Sequence, residues 1–311
     1  MRGYLYIAAA ALLWGIAATL GRAAFTGKLL AAAALRPIDP LILSQARATL
    51  SLAFLLPILL IRRPWRALLV PKRDLIRLAL LGVFGVAASN YFYYVGIQRT
   101  SVATAIILQY TAPVWVLIYS IVRGGGRPSL RRTVAVGLSV VGCGLVVGLA
   151  GTSGLRLDLI GVLAAILAAF CFSFYNIGGH GILARYNRWL VLLWVLVWAS
   201  AFWLVVNPPW RVFAAHYGRE QWAFMLLFAL LSVLGPFSCY FTGLQYLEPT
   251  RAVVVSCLEP VFCIVLAAAV LGEFLGPLQT LGIVIVLGAI VLIQIPERAT
   301  KQEEVVVEPI E

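Results

Sequence analysis

The chain carries ten successive stretches of about 20 mostly apolar residues, each long enough to cross a lipid bilayer as a helix. They fall near residues 3–26, 39–61, 76–97, 101–122, 132–150, 158–180, 189–206, 222–245, 250–272 and 276–295. No soluble fold could cover them. Of 311 residues, 62% are hydrophobic and 12% charged, against about 45–50% and about 25% in soluble domains. Lipid is therefore the solvent for most of the surface, and mean hydropathy is +0.98. The connections are short, so successive helices are expected to run antiparallel. The first stretch is expected to be a true span rather than a cleaved leader.

The net charge of +12 is not that of a nucleic-acid protein, because the cations sit in short loops. With the N-terminus in the cytoplasm, most of them fall on the inner side, notably Arg62, Arg63, Arg66, Lys72, Arg73 and Arg77. The outer side would hold Lys28, Arg36, Arg99, Arg156, Arg211 and Arg219. That bias predicts an inner-membrane protein with both termini cytoplasmic. The tail after Glu297 is charged and expected to be disordered. The five cysteines form no C-x-x-C pair and read as buried thiols, and two histidines are too few for a metal cluster. No metal and no cofactor are expected.

An internal repeat carries the most information. Tyr93-Tyr94-Val95-Gly96-Ile97-Gln98 aligns without a gap on Tyr240-Phe241-Thr242-Gly243-Leu244-Gln245. The same register brings Ala105 to Ala252, Gln109 to Ser256 and Pro113 to Pro260. Spans one and six align as well, Gly3 with Gly161, Leu5 with Leu163 and Gly21 with Gly179. Residues 1–151 and 152–296 thus read as two five-helix units, followed by a tail at 297–311. Five is odd, so the units would enter the membrane in opposite directions. The expected fold is an all-α membrane protein of ten transmembrane helices arranged as two inverted repeats, a pattern typical of secondary transporters.

On these residues the chain resembles the drug/metabolite transporter superfamily, and within it the ten-span EamA-type members. The resemblance rests on Gly96 to Ser101, Ala112-Pro113, Gly243 to Tyr246, Leu258-Glu259-Pro260, Leu271-Gly272-Glu273, Gln279 and Gly282, with Trp14-Gly15 and Arg47. Gly124-Gly125-Gly126 depart from it, standing where many members carry a Gly-Glu pair. The resemblance implies export or exchange of amino acids, other metabolites or drugs.

Candidate site residues follow from the cost of polarity in lipid. Glu259 is the acid deepest in a span, and Arg47 lies at similar depth. An unpaired charge there costs on the order of 2.5–3.5 kcal/mol or more. Glu259 either lines the pathway, binding a substrate ammonium or a proton, or pairs with Arg47 as a packing group. Pro113 and Pro260 lie inside helices and free the carbonyls of Gln109 and Ser256, which lipid does not tolerate. The two kinked helices are therefore candidates for the core of the site. Trp14 on span one, and Asn176 with His180 on span six, occupy matched faces. His180 is a possible charge partner or gate near a helix end. Asn90 and Tyr94 on span three and Tyr240 on span eight suit an amphipathic or aromatic solute.

Competing classes fare worse. No Ser–His dyad, aspartate pair or phosphate loop is evident for an intramembrane enzyme, although a lipid-modifying enzyme needs no motif and is the alternative. Expected partners are a small-molecule solute and the bilayer, with the chain acting as a monomer or homodimer. The sequence leaves open the solute, the direction of transport and the coupling.

Overall fold

The computed structural model describes residues 1–25, 37–100, 102–124, 129–147, 158–271 and 276–295. The expectations for Gly125, Gly126, Gly272, Glu273, the side chain of Arg22 and the 297–311 tail lie outside the described residues. The described residues form helices and no strand. Eight of the helices are long and apolar enough to cross a membrane.

The first half consists of α1 (Arg2–Phe25), α2 (Pro40–Arg62), α3 (Lys72–Leu80), α4 (Ala88–Arg99), α5 (Val102–Gln109), α6 (Ala112–Gly124) and α7 (Leu130–Val147). The second consists of α8 (Leu159–Leu183), α9 (Arg188–Val206), a short α10 (Pro209–Ala214), α11 (Arg219–Ala229), α12 (Gly235–Leu244), α13 (Pro249–Ser256), α14 (Leu258–Leu271) and α15 (Pro277–Gln294). Helix starts follow local chemistry. Asp39 Oδ1 accepts from the amides of Leu41 at 2.7 Å and Ile42 at 3.2 Å, with Pro40 supplying the preset backbone of a first helical turn. Asp158 and Asn187 cap α8 and α9 in the same way.

Two irregularities recur in both halves. Helices α3 and α4 are joined through a π-helical turn at Leu81–Ala87, and α11 and α12 through one at Leu230–Leu234. The register that pairs Tyr93 with Tyr240 lays these turns over one another. The same register carries Tyr110, just past the end of α5, onto Cys257, which stands between α13 and α14. Both interruptions precede a proline, Pro113 or Pro260, whose missing N–H and ring bulk break the ladder. Hydroxyls serve neighbouring carbonyls at the first interruption: Leu108 O accepts from Thr111 Oγ1 at 2.6 Å, and Ala112 O from Ser173 Oγ at 3.0 Å.

Packing crosses between the halves. α1 lies against α12, α13 and α14, while α8 lies against α4, α5 and α6. Glycine permits these approaches. A Cβ on Gly161 would stand 2.6 Å from Arg99 Cβ and from Thr100 Cγ2, and one on Gly3 would stand 2.8 Å from Leu247 Cγ and 2.9 Å from Tyr246 Cβ. In the repeat register Arg99 and Thr100 correspond to Tyr246 and Leu247, so one contact is built twice. α7 and α15 meet through Gly142 and Gly282, where a Cβ on Gly282 would lie 2.7 Å from Val146 N and 2.8 Å from Gly142 O. Small residues of this kind let backbones touch when lipid offers no hydrophobic drive.

Pro57 lies within α2 without interrupting it. Trp203 is 1% exposed and packs edge-on to Tyr91 and Phe202. Helix contact is its role.

Candidate functional site

Most of the predicted residues converge on the two interrupted helices. Arg47 on α2 donates from Nη2 to Asn90 Oδ1 on α4. Asn90 Nδ2 in turn donates to Val86 O at 2.7 Å, so the amide serves a carbonyl of the π turn and presents its oxygen to the guanidinium. Glu259 is in the first turn of α14. Tyr110 and the Arg47 guanidinium are its polar and cationic neighbours. Tyr93 shares the field of Glu259 and Arg47. Arg47, Asn90, Tyr93, Gln109, Tyr110 and Glu259 are all half-buried, whereas Pro260 beside Glu259 is buried. Partial exposure of ionised groups deep in a helical bundle is what a wet path requires.

A second group adjoins the first. The Tyr240 hydroxyl on α12 donates to Asn176 Oδ1 on α8, and Asn176 Nδ2 donates to Phe172 O at 2.8 Å. Ser256 Oγ, which donates to Val253 O at 2.8 Å, neighbours the Tyr240 hydroxyl, which also lies in the field of Glu259. Trp14 on α1 closes the group, its ring 5.2 Å from Tyr240 and 5.5 Å from Phe237 between centroids. Behind it Tyr175 stacks on Phe241 at 5.4 Å and on Phe172 at 6.0 Å. Tyr175 is fully buried, and its hydroxyl has no partner among the described residues.

The geometry divides the labour. Arg47 can receive a carboxylate or another anion in a forked contact. Glu259 can receive an ammonium or a proton. The Trp14, Phe237 and Tyr240 rings can hold an apolar or cationic flank. Among the described residues no group of three or more His, Cys, Asp or Glu could hold a metal.

Other candidates lie apart. Tyr94 is 6% exposed and packs on Tyr93 in the core. His180 Nδ1 is 2.9 Å from Leu244 O, tying the end of α8 to the end of α12. Pro113 and Pro260 are buried and shape the interruptions rather than the lining. A cavity of about 450 Å³ at the start of α2, lined by Ile38, Asp39, Ala215 and Tyr217 among others, contains none of the site residues. Sequence reasoning missed Tyr110 and Phe237. Tyr110 immediately follows Gln109, and Phe237 occupies in the repeat the position of Asn90. Either could have been found by extending the register one residue or one turn.

Comparison with known proteins identifies the family and the fold. A family described as the EamA-like transporter family matches residues 1–148 and 159–295. Among relatives, the threonine/homoserine exporter RhtA of Escherichia coli (strain K12) is 29% identical over 246 residues, covering 78% of this chain and 77% of the relative. The uncharacterized inner membrane transporter YicL of Salmonella typhimurium (strain LT2) is 24% identical over 235 residues, covering 75% and 77%. A solved crystal structure superposes with a TM-score of 0.75 at 17% identity, covering 94% of this chain and 96% of the other, which places the two in one fold.

Proposed function

We propose, from the premise that the chain belongs to the EamA-like transporter family, that it is an inner-membrane secondary transporter that exports small metabolites by alternating access. Its solutes are amino acids or amphipathic, drug-like compounds, held near the bilayer midplane between two inverted five-helix repeats. In this reading an even ten spans bring both termini to one side, which the Lys/Arg bias makes the cytoplasm, and the working unit is a monomer or a homodimer. The observation that carries the reading is the meeting of Arg47, Asn90, Tyr110 and Glu259 with Trp14, Asn176 and Tyr240 at two interrupted helices. The name of the exporter RhtA supports an amino-acid cargo.

A net-neutral solute charged at both ends fits this pair best. Its carboxylate would meet Arg47 and its ammonium Glu259, so that each protein charge gains an opposite charge in low dielectric. The sharpest test is counterflow of radiolabelled threonine in proteoliposomes, followed by other amino acids and aromatic amines. Saturable counterflow supports a carrier. An ohmic current without counterflow, or appearance of a chemically altered lipid, overturns the reading in favour of a channel or an enzyme.

A further inference from the structure

We infer that the segment joining α2 to α3 is a binding site for the headgroup of an anionic phospholipid. Arg62 ends α2 and Lys72 begins α3, and each flanks an apolar span, so residues 63–71 lie where bilayer meets water. Arg62, Arg63, Arg66, Lys72 and Arg73 crowd this stretch. None of the five makes an ion pair among the described residues. The acid that follows, Asp74, is already engaged. It lies 3.0 Å from Arg77 and 3.7 Å from Arg185, and accepts the Tyr186 hydroxyl at 2.7 Å. Among the described residues these five cations thus have no ion-pair partner.

Apolar surface accompanies them. Trp65 is 60% exposed, Leu69 57% and Ile76 61%. The platform is fixed, because the turn Trp65–Leu68 buries Leu68, whose carbonyl accepts from Trp194 Nε1 of α9 at 2.9 Å. The Arg66 guanidinium sits over the Trp65 ring, 5.7 Å from its centroid. An indole beside guanidinium groups at a helix end suits the headgroup level, where one face meets chains and the other meets phosphate. A phosphate without chains would leave Trp65, Leu69 and Ile76 in water, so the chemistry favours the lipid.

The test uses the full-length protein. Native mass spectrometry from micelles supplied with phosphatidylglycerol or phosphatidylcholine reads retained lipid, and thermal shifts in each lipid and in inorganic phosphate read stabilisation. Wild type should retain phosphatidylglycerol selectively, and less of it as salt rises. Removing three interfacial cations in Arg62→Gln/Arg66→Gln/Lys72→Gln should weaken retention on the order of 100-fold. Arg62→Lys/Arg66→Lys should keep most of it, and Arg211→Gln/Arg219→Gln, in α10 and at the start of α11, should leave it unchanged. Equal retention of phosphatidylcholine, undiminished phosphatidylglycerol in the triple variant, or equal stabilisation by inorganic phosphate would each overturn the assignment. Should the triple variant fail to fold, the wild-type lipid selectivity and its salt dependence still decide.

Discussion

Where α4 of the first half presents Asn90 and Tyr93, α12 of the second presents Phe237 and Tyr240 in the same register. Where α6 begins with Ala112, α14 carries Glu259, and where α1 has Gly15, α8 has Ser173. The backbones correspond closely, down to the π turns, the interruptions before proline and the glycine contacts of Gly3 and Gly161. The side chains that face the site do not. One wall is ionic and amide-lined, around Arg47, Asn90, Tyr110 and Glu259; the other is aromatic, around Trp14, Phe172, Tyr175, Phe237 and Tyr240. The repeat therefore supplies geometry, and divergence between its copies gives the proposed site two different ends.

Breaking the ionic wall should have the largest effect. Glu259→Gln leaves Arg47 without its counter-charge, and counterflow should fall on the order of 100-fold if that charge costs about 2.5–3.5 kcal/mol at mid-membrane. Arg47→Gln should do the same. The double variant should regain wild-type thermal stability without regaining transport, which separates recognition from packing. Full transport by Glu259→Gln would remove the ionic wall from the mechanism.

The geometric equivalence of the halves can be tested next. Gly161→Ala and Gly3→Ala each force a Cβ into side chains under 3 Å away, and each should cost about 1–3 kcal/mol in thermal or denaturant melts. A large difference between the two would show that the corresponding contacts are not mechanically alike.

A smaller effect is expected at the aromatic wall. Tyr240→Phe removes the hydrogen bond to Asn176 and should cost about 1 kcal/mol of stability. It should also raise the KM for solutes with an aromatic or branched flank more than for small polar ones. The smallest effect belongs to Ser173→Ala. Ala112 O loses its hydroxyl donor, for a loss of about 0.5–1.5 kcal/mol visible in unfolding with solute KM unchanged.

Much of the fold was legible because lipid imposes a length and a polarity on every span. The expected stretches at 39–61 and 189–206 became α2 and α9 almost to the residue. Pro113 and Pro260 foretold the interruptions, since a missing N–H is a property of the residue itself. The π turns at Leu81–Ala87 and Leu230–Leu234 left no such mark. An added residue per turn is selected by what packs across it, here Val195, Trp198 and Tyr175 around Gly82 and Gly85. For the site, the costly groups announced themselves: Arg47, Glu259, Asn90 and Asn176 each needed a partner in lipid. Tyr94 misled, because an aromatic side chain serves a core as well as a cavity and nothing in its spacing separates the two. Tyr110 and Phe237 were silent for the same reason.

The seam between α7 and α15 reaches beyond packing. Each helix belongs to a different half of the chain, yet at Gly142 and Gly282 their main chains come close enough that a single methyl would not fit. Together with α1 lodged against α12 to α14 and α8 against α4 to α6, this interlock holds the halves by contact instead of by the peptide that links them. Two separately synthesised fragments split between α7 and α8 would each keep its share of these contact faces.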